Sequence, residues 1–269
     1  MTDAPKPGER IAKRLARAGV ASRREAERMI AAGRVEVNGR RIDGPAVNVG
    51  PADVIAVDGR PVGEPEPVRL WRYHKPTGLL TTARDEKGRA TIFDRLPGDM
   101  PRVISVGRLD MNSEGLMLLT NDGALKRRLE LPSTGWLRKY RVRARGNPNE
   151  EDLRPLTEGI TVGGERFRPM KVSIDRQKGA NVWLTIGLRE GRNREIRRAL
   201  EMVGLVVNRL IRVSYGPFQL GDLAAGEVEE VRAKVLREQL GIGAGPAAGS
   251  KGPRRIGRSA VRDRTRSGS

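Results

Sequence analysis

The 269-residue chain has no cysteine and a single histidine, His74. The first absence removes disulfides, thiolate nucleophiles and thiolate-bound zinc, and the second rules out a histidine-rich metal site. Aromatic residues are scarce, three each of Trp, Tyr and Phe, so a core must be built mainly from Leu, Ile, Val, Ala and Met. No apolar run approaches the roughly 20 residues of a spanning helix, and the opening MTDAPKPGER lacks the apolar centre of a signal peptide. A cytoplasmic protein with no membrane association is therefore expected. Acidic residues are the minority, 33 Asp and Glu against 52 Lys and Arg, which leaves a formal net charge of +19. Phosphate-rich polymers are the partners that such a surplus attracts. Neither a phosphate-binding P-loop nor a strand-linked dinucleotide fingerprint is present, so no cofactor is expected and carboxylates, Arg, Lys and Tyr are left to do any chemistry.

Patterning divides the chain. Ile11, Leu15 and Ala18 lie at helical spacing opposite Arg10, Lys13, Arg14 and Arg17, and Gly19 ends the run. Ser22-Arg23-Arg24-Glu25 has the form of a capping box that opens a second helix, reaching about Ala32. Val35 to Ile42 alternates around Asn38-Gly39, a hairpin signal, and a strand at Val54 to Val57 runs into Asp58-Gly59. Gly63-Glu64-Pro65-Glu66-Pro67 predicts a linker at 63–67 between a small unit, 1–62, and a larger one, 68–242.

In the larger unit, strands are expected at Val68–Tyr73, Val103–Ser105, Leu116–Thr120, Lys139–Ala144, Lys171–Ile174 and Val182–Gly187. Helices are expected near Gly123–Leu131 and Arg194–Val203, the latter capped by Asn193, with a last helix over Glu227–Leu240. This mixture predicts an α+β domain on a largely antiparallel sheet with flanking helices. Residues 243–269 hold seven Lys or Arg, one Asp and much Gly, Ser and Pro, the composition of a basic disordered tail.

The phrase LARAGVASRREAERMIAAGRVEVNGRRI, in a stretch covering residues 8 to 60, resembles the S4 RNA-binding domain. The resemblance implies an αα-plus-strands unit that holds RNA through its phosphates. Arg14, Arg17, Arg23, Arg24, Arg28 and Arg34 are the candidate contacts; any one of them alone reads better as a solvated helix-face charge, and it is the cluster as a whole that favours RNA.

In VISVGRLDMNSEGLMLLT, Asp110 stands between two apolar strands, with Gly107 and Gly115 permitting tight turns. A loop scaffolded in this way suits an active carboxylate, while capping the loop or pairing with Arg108 would also use the residue. GRLD and EGLMLLTNDG, together with YHKPTGLLTT, KYRVRARG, EGRNREIRRAL and RLIRVSYGPFQL in that order, resemble the pseudouridine synthases of the RsuA/RluB family over most of residues 68 to 232.

That resemblance implies isomerisation of uridine in ribosomal RNA without cofactor or metal. The N1–C1′ bond breaks, the base turns, and C5 bonds to C1′. It further implies Asp110 as the catalytic aspartate, acting as nucleophile or base, Tyr140 as the aromatic that stacks on uracil, and Arg197 as the arginine facing the aspartate. From the residues alone, Tyr140 also reads as a core aromatic and Arg197 as a helix-surface charge. Lys75 is a candidate binding residue or a turn lysine, Arg108 contacts RNA or braces the loop, and His74 is not expected to be catalytic. Related branches of the family often carry Gln where this chain has Glu195.

The expected partner is ribosomal RNA or a pre-ribosomal particle, met by a monomer. RLDMNSEGLMLLTNDG and LIRVSYGPFQLGDL look most like the large-subunit branch. A small-subunit target and a non-catalytic ribosome-assembly role are the alternatives.

Overall fold

Asn38-Gly39 and Asp58-Gly59 each close a tight hairpin in the computed structural model, which describes residues 8–83, 85–242 and the backbone of 255–256. All four turn residues have positive φ, at 51° and 75° in the first pair and 50° and 73° in the second. That geometry is why an Asx-Gly pair stands at each position. The first hairpin joins Val35–Val37 to Arg40–Arg41 and the second joins Ile55–Val57 to Arg60–Pro61, giving one four-stranded sheet.

Helices Ile11–Arg17 and Arg23–Ala31 complete this part, and the Ser22 hydroxyl accepts the Glu25 N–H at 3.1 Å as its sequence predicts. Ile11, Leu15, Ala26 and Ile30 bury their side chains with Val35, Val49 and Ile55. The chain clusters into two compact units, and these elements belong to the first: Met1–Val68 with 101–103 and 121–123.

The second unit is organised by a ten-stranded sheet. Its path runs Lys171–Lys178, Asn181–Leu188, Arg138–Arg145, Val206–Tyr215, Glu114–Thr120, Leu70–Lys75, Val228–Glu230 and Arg255–Ile256. Ile104–Val106 adds to Glu114–Thr120, and Phe218–Gln219 adds to Val206–Tyr215. All pairings in this sheet are antiparallel except one, where Ile211 and Arg212 lie parallel to Glu114 and Gly115. Glu114–Thr120 is buried along nearly its whole length, which explains its continuous apolar run in place of alternation.

Helix Glu195–Met202 turns Ile196, Ala199 and Leu200 inward, and the core is mainly aliphatic, with Trp71, Tyr73, Tyr140, Phe167, Tyr215 and Phe218 as its buried aromatics among the described residues. Among the described residues no helix is long and apolar enough to cross a membrane.

Three elements depart from expectation. The last helix begins only at Ala233, because Val228–Glu230 is drawn into pairing with the free edge of Leu70–Lys75. Val206–Tyr215, ten residues long, is a strand that periodicity did not single out, and Glu150–Glu158 is an unexpected helix opened by a reciprocal Asn149–Asp152 capping box. In the expected disordered tail, Arg255 and Ile256 pair with Glu229 and Val228, and the other positions of 243–269 lie outside the described residues.

The parallel contact depends on a glycine. Gly115 has φ +106°, and a Cβ there would stand 2.6 Å from the Arg212 backbone nitrogen. Gly115→Ala should therefore cost about 3 kcal/mol or more, combining overpacking with a backbone conformation that alanine disfavours. Urea denaturation of the variant measures this, and parent-like stability would contradict so close an approach.

Candidate active site

The loop bearing Asp110 is held at both ends and from beneath. Ile104–Val106 and Glu114–Thr120 are antiparallel neighbours, so the intervening residues form the end of a broad hairpin. Gly107 N–H donates to Glu130 Oε1 at 2.6 Å, and the Ser113 N–H closes a turn on the Asp110 carbonyl at 3.0 Å. Gly78 N–H donates to the Met111 carbonyl at 2.8 Å.

Beneath the loop, Lys75 ends its strand fully buried. Its Nζ lies 2.8 Å from the Ser113 carbonyl, 3.0 Å from that of Asp110 and 3.1 Å from that of Pro76. Burial pulls the ammonium down to a pKa of about 8, against the opposing attraction of Asp110. Lys75, read from sequence as a candidate binding residue or a turn lysine, braces the Asp110 loop, because the strand register delivers it opposite Gly115 inside the fold.

Arg197 also meets the loop through its backbone. Nη2 donates to the Asn112 carbonyl at 2.9 Å and Nη1 to the Val207 carbonyl at 3.0 Å. The arginine expected to face the Asp110 carboxylate therefore holds the adjacent main chain, while Arg194 Nη1 stands 4.0 Å from Asp110 Oδ2. Arg194 precedes helix Glu195–Met202 with φ 46°, a left-handed conformation that costs a non-glycine residue energy and points to a constrained loop. Asn193 does not cap this helix. The Glu195 carboxylate instead accepts the Arg192 N–H at 2.8 Å.

A cavity of about 820 Å³ opens over this loop, within the usual size of ligand sites. Asp110, Tyr140, Arg108, Arg212 and Glu195 line it, whereas Lys75, Arg197 and His74 do not. The Asp110 side chain is 38% exposed. Tyr140 is buried in the Arg138–Arg145 strand, in register with Arg212.

Arg212 and Glu195 were not read as site residues. Arg212 is 2% exposed and sits where the Ile104–Val106 and Val206–Tyr215 strands diverge from the same edge of Glu114–Thr120. Its Nε fills the gap by donating to the Leu116 carbonyl at 2.7 Å, leaving Nη2 buried without a partner. The available signal was a lone arginine within the apolar alternation LIRVSY. Glu195 is 4% exposed and lies beside Glu190. Burial, reinforced by the Glu190 charge, pushes its carboxyl up to about 7.

The candidate RNA contacts of the first unit divide by exposure. Arg23 and Arg24 are exposed, as is Arg28, which pairs with Glu25. Arg34 is tied to Asp58 by two hydrogen bonds of 2.9 and 2.6 Å, and Arg17 Nη1 lies 2.9 Å from Glu9 Oε1. Arg14 is buried on the core side of its helix, which removes it from the exposed set.

The family model described as RNA pseudouridylate synthase matches residues 69–202, and that of the S4 domain matches residues 9–55. An uncharacterised RNA pseudouridine synthase of Rickettsia prowazekii (strain Madrid E) is 46% identical over 231 residues, covering 86% of this chain and 97% of the relative. A ribosomal large subunit pseudouridine synthase B of Salmonella typhi is 46% identical over 220 residues, covering 79% of this chain and 75% of the relative. A crystal structure of a pseudouridylate synthase matches with a TM-score of 0.59 at 26% identity, covering 86% of this chain and 99% of that one.

Two titrations follow from the buried groups. The folded pKa of Lys75, about 8, lies below its ordinary 10.5, so the unfolded chain binds more protons between those values. The Lys75 contribution to stability accordingly rises with pH across that window. Melting curves should show the parent gaining stability relative to Lys75→Met from pH 8 to 10.5, and parallel curves would contradict the burial. Glu195 behaves oppositely, because its folded pKa of about 7 lies above the ordinary 4.5. Its stabilising contribution is complete below pH 4.5 and lost as pH rises through 7. Glu195→Gln should therefore match the parent more closely at pH 5 and exceed it in thermal stability at pH 8, and an equal difference at both pH values would contradict the assignment.

Proposed function

This chain belongs to the RNA pseudouridine synthase family, and on that premise we propose that it isomerises uridine in large-subunit ribosomal RNA with Asp110 as its catalytic carboxylate. The observation that carries the reading is the contrast within one loop. The backbone of residues 110 to 113 is fixed by Lys75 and Arg197, while the Asp110 side chain, 38% exposed, is left facing the cavity beside the buried Ser113. Such an arrangement sets the carboxylate at a defined position before substrate arrives, which is what positional catalysis requires.

The target uridine leaves its stack and enters the cavity, with its base against the Tyr140 ring and its ribose at Asp110. The carboxylate acts on the sugar as nucleophile or base, the N1–C1′ bond breaks, and the retained base re-bonds through C5, which gives up its proton while the freed N1 takes one up. The Arg194 guanidinium stands 4.0 Å from the Asp110 carboxylate, on the rim of the same cavity. Arg197 is assigned as a positioning residue that acts through the Asn112 backbone. The S4 unit supplies further phosphate contacts from exposed arginines that include Arg23, Arg24 and Arg28, while the exposed Arg34 is tied to Asp58. Large-subunit RNA is favoured because the Salmonella typhi relative carries that specificity in its name at 46% identity. The proposed setting is the cytoplasm, where a monomer meets ribosomal RNA or an assembling subunit.

Asp110→Asn keeps the shape of the side chain and removes its charge. It should leave folding and RNA affinity intact and lower single-turnover conversion by at least about a thousandfold, on the scale of a lost nucleophile or base. Pseudouridine mapped by chemical labelling on an unmodified large-subunit rRNA transcript reads the outcome. Conversion by the variant within tenfold of the parent would refute the assignment.

A further inference from the structure

The strand that carries Tyr140 has a second face. In Arg138–Arg145, Tyr140, Val142 and Ala144 are buried on the cavity side, and Lys139, Arg141, Arg143 and Arg145 alternate with them on the exposed side. Register extends the exposed row across neighbouring strands. Arg143 lies opposite Trp183 on one side and Arg209 on the other, and Arg176 lies beyond Trp183. In the next row Arg145 lies opposite Asn181, with Lys178 beyond it. Trp183 is half-buried, and the Arg141 guanidinium stands 5.0 Å from its ring centroid.

This arrangement works against stability. Like charges directly opposite one another on a sheet destabilise it, and a solvated face needs no such concentration of one sign. Two carboxylates temper it locally, since Glu114 pairs with Arg209 and Asp175 stands 3.6 Å from Arg141. Neither of those contacts involves Arg143, Arg145 or Arg176. Along a strand, alternate side chains recur every ~6.8 Å, so these cations form a regular array beside one aromatic surface. Phosphate groups satisfy such an array, and nucleic-acid surfaces combine cationic rows with a stacking platform in this way.

We propose that this exposed sheet face is a second RNA-docking surface, on the side of the sheet opposite the catalytic cavity, which holds the phosphate backbone of substrate RNA away from the reacting nucleotide. The proposal rests on the RNA substrate read above and adds a surface that neither the S4 unit nor the cavity supplies. RNA engaged here contributes affinity and salt dependence without touching the chemistry.

The test compares the full-length parent with the triple variant Arg143→Gln, Arg145→Gln, Arg176→Gln. Equilibrium binding to an unmodified large-subunit rRNA transcript is measured from 50 to 200 mM KCl. The variant should bind roughly tenfold more weakly, and its slope of log affinity against log salt should be shallower by about 2, as the loss of three phosphate contacts requires. Single-turnover conversion at saturating RNA should match the parent, and thermal stability should be equal or higher because like-charge repulsion is relieved.

Parent-like affinity and salt slope would overturn the proposal. A companion Arg143→Lys, Arg145→Lys, Arg176→Lys variant keeps the charge and should keep the slope. An equal loss there would mean that the arginines serve the fold, and would overturn the proposal as well. Binding is read without turnover, so a protein that binds with the predicted salt dependence but leaves uridine unconverted would fail the catalytic reading and retain this one.

Discussion

A buried ammonium fixes the site of the second unit. Lys75 loses its hydration entirely, and an isolated charge in that position would be strongly unfavourable. It is offset by carbonyls from Asp110, Ser113 and Pro76, the first of which also accepts the Ser113 N–H. Each side of the exchange satisfies the other, so the loop has its shape because the lysine is there, and the lysine is tolerated because of that shape. Since Lys75 belongs to a sheet strand in register with Gly115, the position of the Asp110 loop is inherited from strand pairing.

The same economy recurs one layer further out. Arg212 fills the opening where two strands part from one edge, and Arg197 binds main-chain oxygens on both sides of it, at Asn112 and Val207. Arginine suits these places because its planar fork can satisfy separate acceptors at fixed angles, which a lysine on a flexible stem does less well. The cationic surplus of the chain therefore serves two ends. Part of it is internal scaffolding that replaces missing backbone hydrogen bonds, and part is displayed on exposed faces.

Much of this was legible in the sequence, and the exceptions share a cause. Asn38-Gly39, the Ser22 cap and the apolar run after Gly115 predict their local structures because each depends on residues close in sequence. The α+β class followed from the mixture of expected strands and helices, and the family from ordered blocks of residues that resemble it. Val228–Glu230 was misread because its apolar spacing fits a helix as well as a strand, and only the distant edge of Leu70–Lys75 decides between them. The roles of Lys75, Arg197 and Arg212 were hidden for a related reason. Their partners are backbone carbonyls, which carry no side-chain signature, so no pattern in the sequence could name them.

The distances along the chain that these contacts bridge bear on how the protein reaches its active form. Lys75 meets Asp110 across 35 positions, Arg197 meets Asn112 across 85, and Arg212 meets Leu116 across 96. Each requires closure of a long loop before it returns any stabilisation, and folds dominated by such contacts form slowly. A nascent chain that has emerged only as far as the Asp110 loop carries the carboxylate but lacks Arg197 and Arg212, which complete its surroundings. The surroundings of Asp110 are therefore complete only once Arg197 and Arg212 are in place, so a ribosome-bound fragment carries much of the chain's positive charge before this cavity exists.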